Sequence, residues 1–91
     1  MLNDTIWMLA TECVATEVDD ALVLLDLDAG SYFALNAPAA DIWRALAEPK
    51  TEAALLDVLL NKYQIDREHC TRSLATLLKH LEDKGLAKPA S

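Results

Sequence analysis

Two turns and a helix cap fall within one short stretch, "DDALVLLDLDAGSYFALNAPAA" (Asp19 to Ala40), and they leave the chain few ways to fold. Asp19-Asp20 is turn chemistry, and the Val- and Leu-rich run after it reads as a strand over 21–27. Asp28-Ala29-Gly30 supplies a second turn, where Gly30 can take positive φ, and Ser31 to Leu35 reads as the next strand, 31–35. Upstream, residues 12–18 alternate, with Cys13, Ala15 and Glu17 on one face and Val14, Thr16 and Val18 on the other. Three strands joined by tight turns form an antiparallel meander. Thr5 to Leu9 could add a further extended segment.

At Asn36 the period changes. Asn is a good helix cap, and Pro38 falls in the first turn, where a missing N–H costs nothing. Ala39, Ile42, Trp43 and Leu46 follow helical spacing over 37–47, and Pro49 stops that helix. Thr51 and Glu52 open a second helix, 52–63, with Leu55, Leu56, Leu59, Leu60 and Tyr63 on one side. Asp66 caps a third, 67–84, whose stripe is Cys70, Leu74, Leu77, Leu78 and Leu81, with Gly85 placed to end it. The expectation is an α+β fold in one domain, 1–91: a three-stranded antiparallel sheet followed by three helices.

A small meander cannot bury both faces and both edges alone. Helices can cover one face, and the last strand is anchored where it enters the first helix. Its other edge then carries free N–H and C=O groups, a liability unless something pairs there.

Charge narrows the partners. Residues 1–43 hold eight acids and no Lys or Arg, whereas 44–91 hold seven acids and eight bases, within a net of −7. A nucleic-acid binder needs clustered Lys and Arg to neutralise phosphates, and no cluster exists here. No apolar run approaches the ~20 residues that span a bilayer, so no membrane partner is expected. The opening "MLNDTIWML" lacks a basic n-region, which points to the cytoplasm. Cys13 and Cys70 fit free thiols of a reducing compartment.

Catalytic constellations are hard to assemble from these residues. Cys70 has His69 beside it, but neighbours at i,i+1 on a helix do not face each other, and His80 lies almost three turns away. Glu68, His69 and His80 lack metal-ligand spacing, and two glycines make no phosphate loop. The expectation is a protein that is not an enzyme, without cofactor or metal. The third-helix leucines have an ordinary account as core. The alternative is a groove wall: Arg72 and Lys79 are the only formal charges between Glu68 and Glu82, and they flank an apolar stripe suited to a peptide with apolar and acidic side chains.

"LVLLDLDAGSYFALNAPAADIWRAL", followed by "KYQID" and "LLKHLEDKGL", resembles the PqqD-like family over about Glu12 to Leu86. The resemblance rests on Leu25-Asp26, Gly30, Tyr32, Leu35-Asn36, Ile42-Trp43 and Leu46 in that order. It implies a winged helix-turn-helix-like fold and a leader-recognition role toward ribosomally made, post-translationally modified peptides. The leader would add as a strand beside the third strand, against the third helix. The implied peptide-binding residues are Ser31, Tyr32, Phe33, Ala34 and Leu35 on the strand, with Cys70, Arg72, Leu74, Leu77, Leu78 and Lys79 on the helix. Leu35, Ile42 and Trp43 would form the hinge between strand and helices. Within the family the form is most similar to stand-alone leader binders of lasso-peptide clusters, which present the precursor to a separate cysteine protease or other modifying enzyme. A PQQ-type chaperone for a radical SAM enzyme is the alternative. A winged-helix DNA binder is a third, disfavoured by the charge.

Overall fold

The computed structural model describes residues 5–10, 13–27 and 29–90. Glu12, where the first strand was expected to begin, and Asp28 of the second turn lie outside the described residues. The described chain runs β1 (Ile6–Leu9), β2 (Val14–Val18), β3 (Ala21–Asp26), β4 (Ser31–Leu35), α1 (Ala37–Ala45), β5 (Lys50–Thr51), α2 (Glu52–Lys62), α3 (Arg67–Asp83) and β6 (Ala87–Pro89). The fold is α+β, with the expected meander β2-β3-β4 and three helices. A second three-stranded sheet, β5-β1-β6, was not expected beyond an extended segment near Thr5. Its pairs, such as Ile6 with Thr51 and Met8 with Lys88, join distant parts of the chain, and strands of two or three residues carry no period to read.

Caps set the helix starts. Asn36 Oδ1 accepts from the Ala39 N–H at 3.1 Å, Thr51 Oγ1 from Ala54 at 3.2 Å, and Asp66 Oδ2 from His69 at 3.1 Å. The end of α3 is a Schellman motif. Gly85 sits at φ +74°, its N–H reaching Glu82 O (3.0 Å), while the Leu86 N–H reaches Leu81 O (2.9 Å). Leu86 and Leu81, the apolar pair that accompanies this cap, are both buried. Gly30 takes the positive φ (+68°) that its turn needs.

The core gathers Leu22, Leu24 and Leu35 from the meander, Ile42, Trp43 and Leu46 from the first helix region, and the leucines of α2 and α3. Leu35, Ile42 and Trp43, the expected hinge, are all buried where the last strand turns into α1. Trp7 ties the second sheet to this core: its indole Nε1 donates to Glu52 Oε1 at 3.1 Å.

Candidate functional site

Among the described residues β4 pairs only with β3, so one edge of β4 is open. The β2–β3 turn determines which backbone groups occupy that edge. It has two residues, and of these only Asp19 has positive φ (+56°), the sign pattern of a type II′ turn. Such a turn closes on a hydrogen-bonded pair, here Val18 and Ala21, and bonded and non-bonded pairs then alternate. Ala21, Val23 and Leu25 therefore turn their polar groups to β2, and Leu22, Leu24 and Asp26 turn theirs to β4. The β4 partners of these last three are Leu35, Phe33 and Ser31. Tyr32 and Ala34 are left with N–H and C=O aimed out of the sheet.

Beside this edge the surface is partly apolar. Phe33 lies opposite Leu24 on the core face and is half-buried, and Lys84 Nζ stands 5.9 Å from its ring centroid. Leu77, also half-buried against the core, precedes Lys84 by two helical turns and so shares its face of α3. The geometry is a backbone edge beside the half-buried Phe33, with the Lys84 ammonium over its ring.

The expected helix wall needs correcting. Cys70, Leu74 and Leu78 are each 1% exposed, because this stripe of α3 packs on α2 and β6; they are core and line no open groove. Leu35 is buried too, as part of the hinge. Arg72 and Lys79 lie about 140–160° around the helix from Leu77. They pair along the helix instead, with Glu68 (3.3 Å) and Asp83 (3.9 Å). Of the apolar helix residues expected to bind peptide, Leu77 alone is only half-buried. Ser31, Tyr32 and Ala34 are exposed. Lys84 was missed, although its spacing of seven from Leu77 was legible.

The other edge of the sheet has different surroundings. Near β2, the Arg44 guanidinium donates to Glu17 Oε1 and contacts Asp41 Oδ1 at 3.5 Å. Asp41 also accepts from Lys62 Nζ (3.0 Å) and the Tyr63 hydroxyl (2.6 Å). These groups line a polar cleft of about 390 Å³. Burial pushes the Asp41 carboxyl up, but the Tyr63 hydroxyl and the Lys62 and Arg44 charges outweigh it and leave its pKa below the ordinary value. The Asp41 hydrogen bond, with burial and the Asp41 charge, pushes Tyr63 up to about 12. Burial also raises the thiol pKa of Cys70, and that of Cys13 with help from Asp26, so both thiols stay protonated near neutrality. No helix among the described residues is long and apolar enough to cross a membrane.

Fold and edge together define a class: small α+β domains in which a three-stranded meander, carried on three helices, leaves its last strand open. The chain belongs to the PqqD family, since the family model described as coenzyme PQQ synthesis protein D (PqqD) matches residues 21–87. A solved structure described as TbiB1 in complex with the TbiA(beta) leader peptide is 33% identical, with a TM-score of 0.79 over 89% of this chain and 94% of that one. A second, described as lasso peptide synthetase B1 complexed with the leader peptide, is 30% identical, with a TM-score of 0.75 over 91% and 98%. No curated protein matches the sequence.

Proposed function

We propose that this protein binds the leader segment of a ribosomally made precursor peptide by strand addition to β4. It then presents the peptide to a separate enzyme, a leader-cleaving cysteine protease of the lasso-peptide kind, and performs no chemistry itself. The observation that carries this reading is the outward backbone of Tyr32 and Ala34 on an edge of β4 that no strand among the described residues covers. Backbone pairing supplies affinity in such a mode, and alternate side chains supply selectivity. The two similar structures, both leader complexes, support the same reading. Two free thiols fit work in the cytoplasm, where the precursor is made. The PqqD description favours a second partner, a radical SAM enzyme of the PQQ type, for the same edge.

Titration calorimetry with leader and core peptides made separately tests the proposal. The leader binds and the core does not. Binding by the core alone, or cleavage of the precursor by the pure protein, would sink it.

A further inference from the structure

The register that turns Tyr32 and Ala34 outward at β4 does the same for two residues at the opposite side of the meander. Val14, Thr16 and Val18 pair with Leu25, Val23 and Ala21, whose polar groups face β2. Ala15 and Glu17 of β2 therefore aim their N–H and C=O away from the sheet. Among the described residues no strand covers that edge. All five residues of β2 are exposed, and none is proline or glycine. The second sheet shows how an edge is closed. The Ala90 N–H bonds to Ile6 O and the Ala10 N–H to Leu86 O, so by alternation Ala87 and Pro89 of β6 turn away from β1. Pro89 has no N–H to offer an incoming strand.

At β2 the backbone is open and an inward carboxylate selects instead. Ala15 and Glu17 lie opposite Leu24 and Leu22, both buried, so they point to the core side of the sheet. There Glu17 lines the polar cleft of about 390 Å³, whose walls hold four acids, Glu17, Asp19, Asp20 and Asp41, against two bases, Arg44 and Lys62. Asp19 and Asp20 have no ion-pair partner among the described residues. An inward charge on an edge strand turns away apolar strands, because pairing would desolvate it. A strand whose own inward side chain is a cation meets the opposite condition. Residues placed across a new ladder from Ala15 and Glu17 share their face, so a Lys or Arg there reaches the cleft and supplies the positive charge its walls lack. The β2 strand of a second copy contains no Lys or Arg and supplies none.

We propose that the β2 edge is a second strand-addition site, which pairs with an extended segment of a partner protein carrying Lys or Arg at alternate positions. Backbone bonds at Ala15 and Glu17 hold that strand, and Glu17, Asp19 and Asp20 select its charge. A leader with apolar or acidic side chains gains nothing here, since it would strip Glu17 from Arg44 without replacing the cation. β2 and β4 flank β3, two strand spacings or about 10 Å apart, so both edges are filled at once. The β2 site is independent of what occupies β4.

The probe standing for the partner strand is a synthetic capped peptide that alternates Thr with Lys; its control has Glu in place of Lys. Each is titrated into the full-length, isotope-labelled protein, and amide exchange is followed by NMR. With the Lys peptide the Ala15 and Glu17 amides become protected, while those of Tyr32 and Ala34 do not change. The Glu peptide binds at least ~10-fold more weakly, and the gap narrows at high salt. Ala15→Pro removes an outward donor without altering charge, so the circular dichroism spectrum stays native and Lys-peptide affinity falls at least ~10-fold. Asp20→Lys lowers that affinity mainly at low salt, and Glu17→Lys, which keeps every donor, reverses the preference between the two peptides. Protection at Tyr32 and Ala34 instead, or at neither edge, overturns the proposal. So does equal affinity for the two peptides, or a wild-type dimer in sedimentation that Ala15→Pro dissociates, which gives the edge to a second copy.

Discussion

The two open edges of the meander show how one sheet presents different chemistry. At β2 the side chains beneath the edge end in Glu17, held by Arg44, above a polar cleft with Asp41, Lys62 and Tyr63. At β4 the half-buried residue on the same face is Phe33, with the Lys84 ammonium 5.9 Å from its ring centroid. Among the described residues, both edges have free backbone groups. An incoming strand at β2 would have to displace or desolvate ion pairs, whereas at β4 it covers apolar surface. The ladder is the same; the neighbours decide which edge accepts a peptide.

The largest expected effects separate the two sides of β4 itself. Phe33→Pro removes a donor bonded to β3 and should cost the fold. Tyr32→Pro and Ala34→Pro remove outward donors, so leader binding is lost while the circular dichroism spectrum stays native. Folded Tyr32 and Ala34 variants that bind like wild type would show that the leader does not pair at this edge.

Next come the helix residues. Leu78→Ala should cost ~2–5 kcal/mol, comparable to ~3–5 for Trp43→Ala, because both side chains are core. Either loss is a large part of the ~5–15 kcal/mol typical of a domain. Leu77→Ala and Lys84→Glu, by contrast, should leave the melting temperature near wild type and weaken leader binding, Lys84→Glu most at low salt if the leader is acidic. Thermal melts beside calorimetry distinguish these outcomes, and a Leu78→Ala protein that melts like wild type returns that residue to the groove.

Effects at the β2 edge are smaller. Arg44 and Glu17 are an exposed pair, so Glu17→Gln should cost at most ~1 kcal/mol in chemical denaturation and leave leader affinity unchanged. A matching drop in leader affinity would mean that the peptide uses this edge too.

The pH response of the same cluster is the finest test. Asp41 has a lowered folded pKa, so its contribution is present above the ordinary carboxylate value of ~4 and is lost as pH falls through the folded one. Tyr63 has a raised folded pKa, so its contribution is present below the ordinary ~10 and is lost as pH rises toward about 12. Tyr63→Phe should flatten the melting temperature at both ends of the pH range. An unchanged alkaline slope would show that the Asp41 bond does not hold the phenol.

The local features of this fold were legible in the residues, because each is fixed by chemistry a few positions wide. Asn36, Thr51 and Asp66 cap because a short polar side chain reaches an N–H three residues on; Gly30 and Gly85 turn because they lack a Cβ. The helical period marked Ile42, Trp43 and Leu46 as core, and an open edge followed from a meander whose last strand enters a helix. Tertiary structure decided the rest. Sequence could not orient the α3 stripe, since a wide apolar face suits a core or a groove equally, and packing on α2 and β6 took Cys70, Leu74 and Leu78 inward. Nor could it pair Ile6 with Thr51 or Met8 with Lys88, whose contacts depend on how the whole chain folds back. The outward register of Tyr32 and Ala34 needed the backbone sign of Asp19, because a strand's alternation names two faces without saying which backbone groups meet a neighbour.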